Sequence, residues 1–182
     1  MAAFLIVVSG AIASCGDDEE SNLTLPEYFS QLESLAEDAG REIDAIEARY
    51  PDVTSDDESL SDAERVSQTR ERINEIMAVA RDIVDDLDDI SPPGEAKDAH
   101  NAVKDGLRDV AERTEESVAS EAYEEFIIGI ANASSPDEMR QAIDAFQEPE
   151  LVAAGERLDE ACADLEEIAA ANEIEVVELA IC

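Results

Sequence analysis

Apolar residues recur along this chain at alternating spacings of three and four, the period of one face of an α-helix. Leu25, Tyr28, Leu32, Leu35, Ala39, Ile43, Ile46 and Tyr50 form the first such stripe. Thr24 precedes it as a cap, Glu27 stands three residues on as the other half of a capping box, and Leu23 is placed to staple to Tyr28. Pro51 ends this helix, and the acidic stretch from Asp52 to Ser59 predicts an exposed turn. A second stripe from about Leu60 to Ile90 reads Val66, Thr69, Ile73, Ile76, Ala80, Ile83, Leu87 and Ile90, widened by Met77 and Val84. It predicts the longest helix, about 45 Å at 1.5 Å per residue.

Ser91-Pro92-Pro93-Gly94 interrupts the pattern, and Ser as cap with Pro at the first helical position predicts an immediate restart, antiparallel to the second helix. The third stripe carries Ala96, His100, Val103, Leu107, Val110, Thr114 and Val118. It slips phase between Ser117 and Glu121, then resumes with Tyr123, Phe126, Ile127 and Ile130, which predicts a kink or a break. Ser135-Pro136-Asp137-Glu138 starts a fourth helix, with Met139, Ile143 and Phe146 on its first face. Pro149 should kink or split it before Leu151, Leu158, Cys162, Leu165 and Ala169. Asn172 is the expected left-handed terminator. Beyond it Ile174, Val176, Leu179 and Ile181 stand apart from Glu173, Glu175 and Glu178, as in an extended segment with one buried face. The expectation is an all-α protein: an elongated antiparallel four-helix bundle over residues 24–182, with a short extended C-terminal tail folded back along the last helix.

The start of the chain is different. Residues Met1 to Ser14 carry no charge, and Phe4 to Ala13 form an apolar run within the length of a signal-peptide core and well short of the ~20 residues that span a bilayer. It closes on Ile12-Ala13-Ser14-Cys15, which resembles the lipobox of bacterial lipoproteins: an aliphatic residue, two small residues and the cysteine to be lipidated. The leader departs from that pattern in having no Lys or Arg before the apolar run. The resemblance implies a signal peptide over residues 1–14, a diacylglyceryl thioether on Cys15 and a mature chain facing the extracytoplasmic side of a cell-envelope membrane. Residues 15–23 then form a lipidated acidic tether, whose Gly16 to Asn22 could extend about 25 Å at ~3.5 Å per residue.

Three cysteines are an odd number for an exported protein. Assigning Cys15 to lipid leaves Cys162 and Cys182 as a pair in an oxidising compartment. Helix and returning tail are long enough for the two to meet, and such a staple would stabilise the fold by roughly 3 kcal/mol in the chain-entropy model. Two free thiols are the alternative. The Pro-Pro helix start followed by a His (Ser91 to His100), with the closing cysteine pair (Cys162 to Cys182), resembles a group of uncharacterised acidic all-helical lipoproteins. That resemblance implies a fold and an address and no activity.

Charge narrows the partners. The formal net charge is −36, from 48 acidic against 12 basic residues, so binding to a phosphate backbone is excluded. Of the basic residues only Lys97 and Lys104 are lysines, a balance that resembles proteins of salt-adapted organisms and that a high-GC genome would also favour. Cationic partners fit the composition as well.

His100, the only histidine, is the lone candidate metal ligand, on the core side of the third helix. A ferritin-like di-metal bundle needs Glu-x-x-His twice, whereas Lys97 occupies the position three before His100 and there is no second His. A zinc site lacks ligands for the same reason. A histidine hydrogen-bonded to a neighbouring carboxylate inside the bundle is the plainer expectation. No nucleophile elbow, phosphate-binding loop or dinucleotide fingerprint occurs. The sequence therefore leads to a non-catalytic, membrane-anchored lipoprotein without cofactor. It would act through its helical surface on a protein partner, with an apolar groove or stripe expected near Tyr123 to Ile130. The alternative is a carboxylate-based metal-ion or small-ligand binder.

Overall fold

The computed structural model describes residues 23–50, 60–133, 135–146 and 148–175. Cys15, the leader, the acidic tether up to residue 22 and the C-terminal segment with Cys182 lie outside the described residues. The described chain is all-α, with six helices: α1 Leu25–Glu47, α2 Asp62–Asp89, α3 Lys97–Val118, α4 Glu121–Ala131, α5 Pro136–Ala145 and α6 Pro149–Ala171.

The starts follow local chemistry. The Glu27 carboxylate accepts hydrogen bonds from the backbone N–H of Thr24 at 3.0 Å and from its hydroxyl at 2.6 Å, which holds that carboxyl below its usual pKa. Ser61 and Glu64 make the same kind of box at the head of α2, so that helix begins after Ser61 instead of at Leu60. Ser135 accepts from the N–H of Glu138 with Pro136 at the first helical position, as expected.

Two expected helices are each divided. The phase slip after Ser117 is a break: α3 stops at Val118, and Ser120 caps α4 by accepting from the N–H of Tyr123 at 3.1 Å. Pro149 likewise separates α5 from α6. The restart after α2 is also corrected, because α3 begins at Lys97 and not at Pro92. Pro93 follows Pro92 directly and disfavours a helical conformation there, so the chain first turns through Gly94 and Ala96, with the Ala96 N–H on the Pro93 carbonyl at 2.9 Å.

Leu25, Tyr28, Phe29 and Leu32 of α1, Val79, Ile83, Val84 and Leu87 of α2, Val103 and Leu107 of α3, and Cys162 and Leu165 of α6 belong to one buried core. Each fully buried Leu or Phe contributes about 1.5–3 kcal/mol. The stripe on α1 is wider than expected, with Phe29 and Ala36 buried while Leu35 and Ile43 are half-buried, because that helix meets more than one neighbour. On α2 it is Val79 that is buried, in place of Ala80.

Paired residues run in opposite order on α2 and α3, where Arg81 meets Glu115 and Lys104 meets Asp88, so these helices are antiparallel. The same holds for α3 and α6, joined by Arg157 with Asp109 and by Arg113 with Glu150. Gly106 lets α3 and α6 approach closely: a Cβ there would lie 3.2 Å from the Cα of Leu158. A second, smaller core of Val66, Val118, Tyr123 and Ile127 joins the first half of α2 to α4, with Phe126 and Phe146 against it.

α6 ends in a Schellman turn, the N–H of Ile174 reaching the Ala169 carbonyl at 3.0 Å and that of Glu173 the Ala170 carbonyl at 3.2 Å. The left-handed residue is Glu173, with φ 57°, one position beyond the expected Asn172. Ile174 packs against the main core.

Candidate functional site

His100 sits one turn into α3 and is 3 % exposed. Its Nε2 lies 3.1 Å from the Leu87 carbonyl, which can only accept, so Nε2 carries the hydrogen. That carbonyl also accepts the Ile90 N–H at 3.2 Å where α2 ends, and its second lone pair is left for the imidazole. Nδ1 is then the acceptor for the hydroxyl of Tyr28 at 3.2 Å, and the two rings meet edge to face. Burial pushes the imidazole below its ordinary pKa, with the Leu87 carbonyl acting in the opposite direction, Lys104 lowering it further and Asp88 raising it. Burial raises the Tyr28 phenol. The expected carboxylate partner is thus replaced by a carbonyl and a phenol. Both ring nitrogens are engaged, and the pair ties α1, α2 and α3 together. Among the described residues no group of three or more His, Cys, Asp or Glu side chains could hold a metal ion.

Carboxylates line the seam of α3 and α6. Asp105, Asp109, Glu160 and Asp164 border an open cleft over Gly106 and Ala161, and Arg157 crosses it to Asp109. That hydrogen bond to Arg157 is the main reason the Asp109 carboxyl lies below its usual pKa.

The most distinctive surface lies between α4 and α5. Gly129 of α4 faces Ala142 of α5 so closely that a Cβ on it would be 3.2 Å from the Ala142 Cβ. Beside this crossing Phe126 and Phe146 stack at 4.5 Å and 18°, with Tyr123 edge-on to Phe146 at 5.8 Å. The aromatic pair forms the wall of an open cleft of about 390 Å³, floored by small residues and lined by Glu125, Glu138 and Gln141. α5 contributes no buried residue, and its Ile143 is 50 % exposed. Arg70 of α2 holds the other side of α4 in place, donating from Nε to the Val118 carbonyl at 3.0 Å and from Nη2 to the Ser120 carbonyl at 3.2 Å. Tyr123, also on this seam, has its phenol pushed up to about 12 by burial, with Arg72 and Arg70 pulling it down. The phase slip in the sequence pointed to this region. The part played by α5 was not expected, although Met139, Ile143 and Phe146 mark its apolar face, of which Met139 and Phe146 are half-buried and Ile143 is exposed.

Cys162 is buried on α6, while its expected partner Cys182 and the expected lipidation site Cys15 lie outside the described residues. No helix among the described residues is long and apolar enough to cross a membrane. Comparison of the chain with protein-family models, curated proteins and solved structures finds no match.

Proposed function

We propose that this chain is a lipid-anchored, non-catalytic lipoprotein of the cell envelope that binds another protein through its helical surface. The observation that carries the interaction role is α5: a helix with an apolar face but no buried residue, next to a half-buried aromatic cluster. Apolar surface left uncovered beside a packed core is characteristic of interaction sites. The lipid anchor rests on the Ile12-Ala13-Ser14-Cys15 pattern and the acidic tether that follows it.

In this reading α1, α2, α3 and α6 make an elongated antiparallel four-helix bundle, supported by their shared core and by the opposed order of paired residues along α2, α3 and α6. A Cys162–Cys182 disulfide staples the tail to it. Its support is that Cys162 is buried and is not a free thiol, and that the Schellman turn at Glu173 seats Ile174 against the core.

The intact mass of protein purified from membranes, before and after reduction, tests anchor and staple together. The expected species starts at Cys15, carries a lipid and gains two hydrogens on reduction. An unmodified Cys15 removes the anchor, and an unchanged mass removes the disulfide. Photo-cross-linking in intact membranes tests the interaction role, and failure to capture any protein from probes on every exposed helix face would overturn it.

A further inference from the structure

The surface between α4 and α5 carries more than a generic apolar patch. Its floor is built from small side chains where Gly129 meets Ala142, its wall is the stacked pair Phe126 and Phe146, and Glu125 and Glu138 stand on its lining. Over α4 and α5 the acidic residues are Glu121, Glu124, Glu125, Asp137, Glu138 and Asp144, against the single cation Arg140. An apolar cleft set in such a field favours an occupant with an apolar ridge flanked by positive charge. An anionic lipid surface or a nucleic acid would be repelled by the same field.

The dimensions narrow the occupant further. Helices of 11 and 10 residues are about 15 Å long, or three turns, the length over which a helix presents anchors at i, i+3 or i+4, and i+7. Ala122, Glu125, Glu138 and Ala145 on the lining are exposed, so a ridge can seat on the cleft without displacing α5.

We propose that the α4–α5 cleft is the docking site for a cationic amphipathic helix of a partner protein, its apolar ridge seated against Phe126 and Phe146 and its Lys or Arg residues facing Glu125 and Glu138. This names the partner chemistry for the interaction role above and rests on that reading.

A labelled amphipathic peptide of Leu and Lys at helical spacing, titrated into the full chain at near-physiological salt, provides the test. A scrambled peptide of the same composition and a Leu/Glu counterpart serve as controls. Ala122→Trp fills the cleft from an exposed lining position, and Glu125→Lys with Glu138→Lys reverses its charge, while Asp164→Lys with Glu167→Lys makes an equal reversal on the α3–α6 seam. Circular dichroism and unfolding midpoints establish that each variant is folded. Saturable binding of the Leu/Lys peptide is expected, weakened at least about tenfold by scrambling, by Ala122→Trp and by the cleft reversal, and less than about twofold by the distant reversal. No binding, equal losses from both reversals, or indifference to Ala122→Trp and to scrambling would each overturn the proposal. In membranes, cross-links that map to the α3–α6 seam alone would overturn this docking site while leaving the interaction role standing.

Discussion

Tyr28 and His100 lie 72 positions apart in sequence and meet inside the core, the phenol oxygen 3.2 Å from Nδ1. In the neutral ring that burial favours, Nε2 donates to the Leu87 carbonyl and Nδ1 accepts from the Tyr28 hydroxyl. Burial holds the folded-state pKa below the ordinary value of an imidazole. As pH falls below that value, the unfolded chain takes up a proton that the folded chain resists, so folding stability falls with it. The contribution is complete above the unfolded pKa and is lost as pH drops through the folded one. Urea midpoints of the protein and of His100→Gln, compared from pH 8 to pH 5, should show wild type losing ground to the variant as pH falls. A difference that stays constant over this window would count against the neutral assignment. Tyr28→Phe leaves Nδ1 without its donor and should cost about 1 kcal/mol at pH 8.

The Tyr28–His100 contact also marks where sequence stops being informative. Helical spacing puts both residues on core-facing stripes, but nothing local states that they stand at the same height or that the α2 terminus lies between them. Caps are legible because their chemistry is complete within four residues, as at Thr24–Glu27 and Ser135–Glu138. The Ser61–Glu64 box was legible in the same way but was obscured by Leu60, which extends the apolar pattern one position too early. The break at Ser120 was visible as a slip in phase. That Ile143 of α5 would remain exposed was not, since an apolar face at Met139, Ile143 and Phe146 reads the same whether or not anything packs on it.

Glycines on α1 and α3 should respond to alanine in opposite directions. A Cβ at Gly40 would meet nothing within 4 Å, so Gly40→Ala should gain helix propensity of up to about 1 kcal/mol. At Gly106 the new methyl would press on the Leu158 backbone 3.2 Å away, and α6 as a whole would have to move. Overpacking of this kind costs about 1–3 kcal/mol and should outweigh the same propensity gain. Thermal or urea unfolding of both variants checks the contrast, and a stabilised Gly106→Ala would mean that α3 and α6 are not tightly seated.

Glu173 holds the left-handed position of the Schellman turn at φ 57°, a conformation that costs most L-residues about 1 kcal/mol and glycine very little. Glu173→Gly should therefore stabilise the fold by roughly 0.5–1 kcal/mol, less what glycine adds to the freedom of the unfolded chain. The change also removes one negative charge, so Glu173→Gln is the control. If the glutamine variant gains as much as the glycine variant, the benefit comes from charge and not from the turn.

Arg70 joins the two carbonyls at the α3–α4 break to α2. Replacing it with Met keeps much of the aliphatic stem but leaves those acceptors to solvent, for a loss of about 1–2 kcal/mol. Because α5 adds no buried residue of its own, the loss should be localised. Amide exchange in Arg70→Met should accelerate over residues 121–146 before it does in α1, α2 or α6. Uniform acceleration would show instead that α4 and α5 unfold with the main core.

Salt should move stability and partner binding in opposite directions. With 48 acidic and 12 basic residues, most carboxylates repel one another, and ion pairs such as Arg108–Asp105 are exposed and contribute little. Raising NaCl from 0.1 M to 1 M shortens the screening length from about 10 Å to about 3 Å, which relieves repulsion across the helix surfaces more than it weakens contacts at 3 Å. The unfolding temperature should therefore rise with NaCl. The attraction between the α4–α5 carboxylates and a cationic helix is screened by the same ions, so affinity for the Leu/Lys peptide should fall over the same range. An unfolding temperature that falls with salt would mean that the surface ion pairs outweigh the repulsion. Peptide affinity that holds at 1 M NaCl would mean that the aromatic wall of the cleft, not its carboxylates, supplies the binding.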